Sequence, residues 1–339
     1  MKTLAPIMTA AALGAASLLT FAQPADAREC TAESPCVLRI ATIAPDNTPW
    51  SDQLRSIQSR LHSESNGRIQ VRVFVGQSDG EVSLARQCKD GSLEAVGVST
   101  GAIGTLVPEL GVFELPFLFE NADQADRIID NHLFDPISEL LRANGFQLYV
   151  FSENGFRNFA TSNGTHIRQP SDLAALQMRS QESWIHEEMY RALGGNPVTI
   201  PATEVTTALS SGNVQGFDNT PLFSMAAGWS SFVDTWTVSN HIYQPAVVVY
   251  NQAWFDSMPA DLQELLISNR QAETRSGRRE IRSLTPLLIS NLEASGITVH
   301  EMTSAERQAF VERTRGVQDM FRQRVPNGAP LLDIILANL

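Results

Sequence analysis

Strand and helix patterns alternate along the first half of the chain, and a buried-strand run, Ala246-Val-Val-Val-Tyr250, returns to the same signal after a stretch of smaller units. That order limits the fold more than any other feature. Val37 to Ile43 reads as a strand, and Asp46-Asn47-Thr48-Pro49 is a helix start with proline in its first turn. Trp50, Leu54, Ile57 and Leu61 then fall on one helical face, and Asn66-Gly67 stops the helix. Ile69, Val71, Val73 and Val75 alternate strictly, which predicts a strand. A helix over 80–90, a strand over 93–99 and a helix over 122–143 continue the rhythm. Smaller units follow: a strand from Phe146 to Ser152, a helix from Trp184 to Leu193, a strand from Pro197 to Ile200, and a helix from Thr203 to Ser211 stopped by Gly212. From about residue 260 the pattern is helical. Pro286 interrupts it there, and since proline in a straight helix costs about 3 kcal/mol, a kink or break is expected.

The βα rhythm predicts an α/β protein with mainly parallel sheet covered on both faces. A chain that leaves one α/β domain, builds another and returns predicts two lobes joined by crossing strands with a cleft between them. The expected division is lobe I over 28–151, lobe II over 152–244, and over 245–339 a return to lobe I with C-terminal helices packing across both.

Residues 1–27 read as an export leader. Lys2 supplies a positive start, Met8 to Phe21 is almost wholly apolar or small, and Ala25-Asp-Ala27 is a small-x-small cleavage site. No later segment approaches the roughly 18–20 apolar residues of a membrane span. Cys30 lacks the apolar and small residues that precede a lipidated cysteine. The expected mature chain begins near Arg28 and floats free in the periplasm. Its hydrophobic content of 43% with 18% charged residues excludes a disordered chain. A net charge of −12 argues against nucleic acid and against an anionic membrane. A small anion is compatible with it, because local donors in a cleft outweigh a diffuse field screened beyond about 8 Å. In an oxidising compartment Cys30 and Cys36 are expected to form a small disulfide loop, with Cys88 an inert thiol on a helical apolar face. No spacing of cysteine and histidine suggests zinc, and neither a metal nor a cofactor is expected.

Arg179 ends the apolar run Asp172-Leu-Ala-Ala-Leu-Gln-Met-Arg179. A guanidinium at a strand end offers a planar fork of donors that matches a carboxylate in two parallel bonds. The competing enzyme signal is Gly97-Val-Ser-Thr-Gly101, a G-x-S-x-G pattern that suggests an exported serine hydrolase using Ser99. Against it, Gly104 and Pro108 break the helix that should follow, and the six histidines are scattered. Otherwise Ser99 and Thr100 end a strand where hydroxyls face a ligand. His186-Glu-Glu-Met-Tyr190 lacks the second histidine of a zinc-protease helix. Trp184 and Phe217 are more simply core aromatics, and Asn219 before Pro221 is more simply a turn former.

Several segments in order resemble the DctP family, the extracytoplasmic solute-binding subunits of TRAP transporters. They are Leu38-Arg-Ile-Ala-Thr-Ile-Ala-Pro45 with the Pro49-Trp50 helix start, Val107-Pro-Glu-Leu-Gly-Val-Phe-Glu-Leu-Pro-Phe-Leu-Phe119, and Gly155-Phe-Arg-Asn158. Asp172 to Arg179, Glu204-Val-Thr-Thr-Ala-Leu-Ser-Ser-Gly212 and Met258-Pro-Ala-Asp-Leu-Gln263 complete the series. The resemblance implies a periplasmic binding protein fold and a non-enzymatic protein that closes on a small organic carboxylate and hands it to a sodium-coupled membrane permease. It places the carboxylate-gripping arginine on Arg179, a second arginine on Arg157 and an asparagine on Asn219. Asn47, Ser99, Thr100, Glu153, Trp184 and Phe217 are further candidates for contact with the ligand. Gln215 stands where the family has aspartate, Thr206 where it has tyrosine, and Ser180-Gln-Glu182 follows Arg179 in place of Val-Pro. Which carboxylate is bound is therefore open.

Overall fold

A computed structural model describes residues 28–339, so the expected leader lies outside the described residues. Nine strands form one continuous sheet, and two of them explain its shape: β4 (Phe146–Thr161) and β8 (Thr235–Asn251), 16 and 17 residues long. They pair antiparallel from Phe146 opposite Asn251 to Thr161 opposite Thr235. Around one end of this ribbon, β2 (Ile69–Phe74), β1 (Cys36–Ala41) and β3 (Ala95–Ser99) run parallel to one another, and β3 joins β8. Around the other end, β7 (Gly216–Asn219) joins β4, followed by β5 (Gln177–Ser180) and β6 (Asn196–Thr199), while β9 (Thr298–Glu301) pairs with β8. The parallel expectation holds within each half, whereas the shared strands are antiparallel.

Both crossing strands extend well past the apolar runs that announce them. Their middles carry buried polar residues, including Ser152, Glu153, Arg157 and Gln244. Register shifts fall between Glu153 and Gly155 and between Arg157 and Phe159, where the ribbon passes from one half to the other. Bulges of this kind bend a strand and re-aim its side chains. Gly155 lies there at φ +99, a left-handed conformation that favours glycine.

Apolar residues cover the first half on both faces. Leu54, Ile57 and Leu61 of helix Pro49–Glu64 pack with Leu38, Ile40 and Val248 on one face; Leu84, Ile103, Phe113 and Ile128 pack with Val96 and Val247 on the other. The second half has its own clusters, around Phe217, Trp229 and Trp236 and around Phe159, Met178 and Tyr190. Two C-terminal features tie the halves together. Helix Arg270–Ala294 places Ile281 in a first-half cluster and Leu292 in a second-half one. Phe310 packs in the second half while Phe321, Leu332 and Ile335 pack in the first. Pro286 does not break its helix: it sits at an exposed position within the continuous helix Arg270–Ala294. The helix expected over 122–143 is interrupted by a π turn at Ile129–Leu133.

The sulfurs of Cys30 and Cys36 are bonded to each other, and Cys88 is free and buried.

Candidate functional site

The parallel strands of both halves end at one cleft. Thr42, Ile43 and Ala44 follow β1 there, Ser99 ends β3, Arg179 stands near the end of β5, and Asn219 and Thr220 close β7. This is where strand ends leave backbone groups unpaired and turns expose side chains, the usual place for a ligand in a parallel sheet. The ribbon adds Arg157 and Gln244, and helix Pro49–Glu64 adds Trp50. The space between these residues, open solvent included, is about 890 Å³.

Arg179 is the exceptional group. Strand alternation sends Met178 into the core and Arg179 to the cleft. The side chain is 3% exposed. Its Nε donates to the Ile200 carbonyl at 2.9 Å, and its guanidinium carbon lies 5.3 Å from the centre of the Trp229 ring. Among the described residues no carboxylate lies within ion-pair distance, and neither Nη meets a hydrogen-bond partner. Burial first, and the charge of Arg157 second, pull its pKa down to about 10. A buried cation without a counter-ion is costly, and an incoming anion removes that cost.

Arg157 is equally buried and the opposite in kind. Its Nε donates to Asp218 Oδ2 at 2.5 Å, its Nη2 to the Asp218 carbonyl at 2.5 Å, and its Nη1 to Gln244 Oε1 at 3.0 Å. Asp218 also accepts from Tyr190 Oη at 2.8 Å and lies 3.3 Å from His241 Nε2. Burial opposes the charge of Asp218, yet Arg157 and the neighbouring His186 and His241 hold its carboxyl well below the usual range. Behind them Glu114 accepts from Gln181 Nε2 at 3.1 Å and lies 2.6 Å from His186 Nε2. Burial disfavours the charge of Glu114 as well, but His186 and Arg157 hold it low. Arg157 is thus neutralised within the protein.

Asn219 accepts at Oδ1 from the Thr220 N–H at 2.8 Å and, weakly, from Arg157 Nη1 at 3.4 Å. Asn219 is among the residues that line the cleft. Ser99 lines the cleft too, but its hydroxyl donates to Glu81 Oε2 at 2.8 Å and accepts from the Ala102 N–H at 3.2 Å as a helix cap. No histidine touches it among the described residues, so the hydrolase expectation is unsupported. The two glycines of its pattern serve packing. A Cβ at Gly97 would meet the Trp50 ring at 3.1 Å, and one at Gly101 would meet Gln181 Nε2 at 2.6 Å.

Five other expected residues stand off the cleft, each for a visible reason. Asn47 is exposed in a turn with φ 59. Thr100 donates inward to Glu114 and to the Pro245 carbonyl. Glu153 is held by Tyr243 Oη at 2.7 Å and by Arg282. Phe217 packs against Trp229 and Trp236, and Trp184 lies under the Arg324 guanidinium at 4.7 Å. Conversely, Trp50, Glu81, Gln181, Glu182 and Gln244 line the cleft, although the sequence marks none of them as a ligand contact. Four of the five do sit within a few residues of a strand end or helix start, the positions that a parallel sheet presents to its ligand.

The profile of the bacterial extracellular solute-binding proteins, family 7, known as DctP, matches residues 40–324. A C4-dicarboxylate-binding periplasmic protein of Rhodobacter capsulatus is 27% identical over 296 residues, covering 86% of this chain and 88% of the relative. Among solved structures, a sugar acid binding protein from Advenella mimigardefordensis in complex with galactonate matches with a TM-score of 0.84 and 25% identity, covering 90% of this chain and 99% of that one. A TRAP periplasmic solute-binding protein from Sulfurospirillum deleyianum with bound succinate shares the fold, with a TM-score of 0.82 and 23% identity over 89% of this chain and 99% of that one.

Proposed function

The chain belongs to family 7 of the bacterial extracellular solute-binding proteins, the DctP family, and from that premise we propose that it captures a small organic carboxylate in the cleft, with Arg179 as anchor. The observation that carries this reading is the unpaired, buried Arg179 fork. It points two Nη groups into the cleft with no protein partner, so an entering carboxylate meets a preorganised bidentate site. The Asn219 amide supplies a further donor. Arg157, its charge balanced by Asp218, fixes Asn219 and Gln244 and lends orientation more than charge.

On this reading the protein works in the periplasm and closes by bending the β4–β8 ribbon near Glu153–Arg157. The moving bodies are 28–151 with 245–339, and 152–244. The closed, loaded form docks on the membrane subunits of a sodium-coupled TRAP transporter, so that occupancy becomes a shape the permease can recognise. The bound acids of the similar proteins, succinate and galactonate, agree with an organic acid as cargo.

A thermal-shift screen of the protein against organic acids tests the proposal. A true ligand at 100 times its Kd adds about 2.7 kcal/mol of stability. A panel of mono- and dicarboxylates that leaves the unfolding temperature unmoved would reject carboxylate binding.

A further inference from the structure

We propose that the cleft selects a monocarboxylate whose far end donates hydrogen bonds, as the hydroxyls of a sugar acid do, and that Glu81 is the residue that turns dicarboxylates away. The inference rests on Arg179 as the anchor and concerns what the rest of the ligand must be.

Charge accounting along the cleft leads to it. The lining residues include two cations, Arg157 and Arg179, and two carboxylates, Glu81 and Glu182. Arg157 is already paired with Asp218 at 2.5 Å. One cation therefore remains for the ligand, and one ligand carboxylate satisfies it. A second carboxylate finds no other cation among the lining residues and enters a space that already holds two acidic side chains.

Glu81 is placed to read the far end. It begins helix Glu81–Asp90 on the half of the molecule opposite Arg179. Its Oε1 accepts from the Ser99 N–H at 2.9 Å and its Oε2 from the Ser99 hydroxyl at 2.8 Å, which fixes the carboxylate plane against the cleft wall. Among the described residues no arginine, lysine or histidine lies within ion-pair distance of it. A carboxylate oxygen accepts more than one hydrogen bond, so acceptor capacity remains on both atoms. Burial pushes its carboxyl above the usual value, with the charge of Glu114 adding to the shift, while the two Ser99 bonds and the charge of Arg157 oppose it. A hydroxyl-bearing tail supplies the missing donors. A second carboxylate supplies only acceptors and repulsion.

Glu182 adds to the same bias from the other wall. It is half-buried, and the field of Arg179 acts on it without a direct ion pair. Any anion other than the one gripped by Arg179 meets its charge.

Calorimetry with D-galactonate and succinate on the parent, Glu81→Gln and Arg179→Ala proteins tests the proposal, with folding followed by circular dichroism. The parent should bind galactonate at least about tenfold more tightly than succinate, the worth of one charge-assisted hydrogen bond made or one repulsion avoided. Glu81→Gln keeps an oxygen for the Ser99 hydroxyl and removes the charge. It should weaken galactonate and strengthen succinate, moving their affinity ratio by about tenfold or more. Succinate bound as tightly as galactonate by the parent overturns the proposal with no variant needed. So does a folded Glu81→Gln protein with an unmoved ratio. If those failures occur while Arg179→Ala abolishes binding, the selectivity argument alone is wrong. If Arg179→Ala binds normally, or the parent binds neither acid, the anchor reading falls and the selectivity with it.

Discussion

Replacing Arg179 by methionine should separate stability from binding, because on the proposed reading its charge serves a ligand and not the fold. In the free protein the guanidinium has one hydrogen bond, to the Ile200 carbonyl, and one ring contact, to Trp229. Their loss costs about 1 kcal/mol for the bond and about 0.5–2 kcal/mol for the ring. Removing an uncompensated buried charge returns several kcal/mol, and methionine refills most of the volume. The unliganded Arg179→Met protein should therefore be as stable as the parent or more so. Binding should move the other way. An anion buried without its partner loses about 3–5 kcal/mol, or about two to three and a half decades in Kd. Arg179→Lys should also bind poorly, since one ammonium cannot reproduce two parallel bonds. Urea unfolding gives the first quantity and calorimetry the second. A folded Arg179→Met protein that bound within about threefold of the parent would refute the assignment. A variant destabilised by several kcal/mol without ligand would show that the arginine serves the fold instead.

Asp218→Asn should do the reverse, destabilising the free protein by about 3–5 kcal/mol in urea unfolding, because Arg157 then keeps a buried charge with no partner. Since Asp218 titrates well below its ordinary value, its contribution is present above the unfolded pKa near 4 and is lost as pH falls through the folded value. The acid limb of the parent's stability profile should therefore be steeper than that of Asp218→Asn, and matching slopes would argue against a charged Asp218. Breaking Cys30–Cys36 by double serine substitution should cost only about 2 kcal/mol, because the closed loop is short. Burial pushes the Cys88 thiol up, so a thiol reagent should label it only after denaturation. Ligand should lower the radius of gyration in small-angle scattering; an unchanged profile at saturation would argue for a rigid pocket.

What the sequence makes legible is what local pattern encodes. The strand–helix rhythm places β1, β2, β3 and the helices that follow them, a strand end points to Arg179, and the family resemblance adds Arg157 and Asn219, all three of which line the cleft. What it conceals is pairing over distance. Asp218 sits 61 residues from the arginine it neutralises, and Glu114 sits 72 residues from His186. Nothing local marks either contact. His186 and His241 look scattered along the chain yet both approach Asp218. The crossing strands look short in the sequence for a related reason. Their central residues are buried and polar, satisfied by one another, so the apolar alternation that announces a strand stops in the middle of β4 and of β8. Thr100 suggests ligand contact because it ends a strand, yet its side chain, like those of the candidates Glu153 and Phe217, turns to a partner inside the protein.

The contrast between the two arginines also bears on how closure and binding are coupled. Arg157 lies in the ribbon that both halves share, and Asp218 cancels its charge there. The floor of the cleft therefore presents hydrogen bonds without net attraction for anions. Arg179 belongs to the second half and Glu81 to the first, so a ligand bonded to both spans the opening. An anion on Arg179 alone, with the cleft open, remains in contact with water, and its ion pair is worth little. The same pair gains strength when the first half arrives, water leaves and the tail reaches Glu81. A ligand that lacks tail donors forfeits the second set of bonds, and with it the differential affinity that favours the closed form. Selectivity and closure are then one quantity read in two ways, so a ligand that binds Glu81→Gln through Arg179 alone should compact the protein less than galactonate compacts the parent.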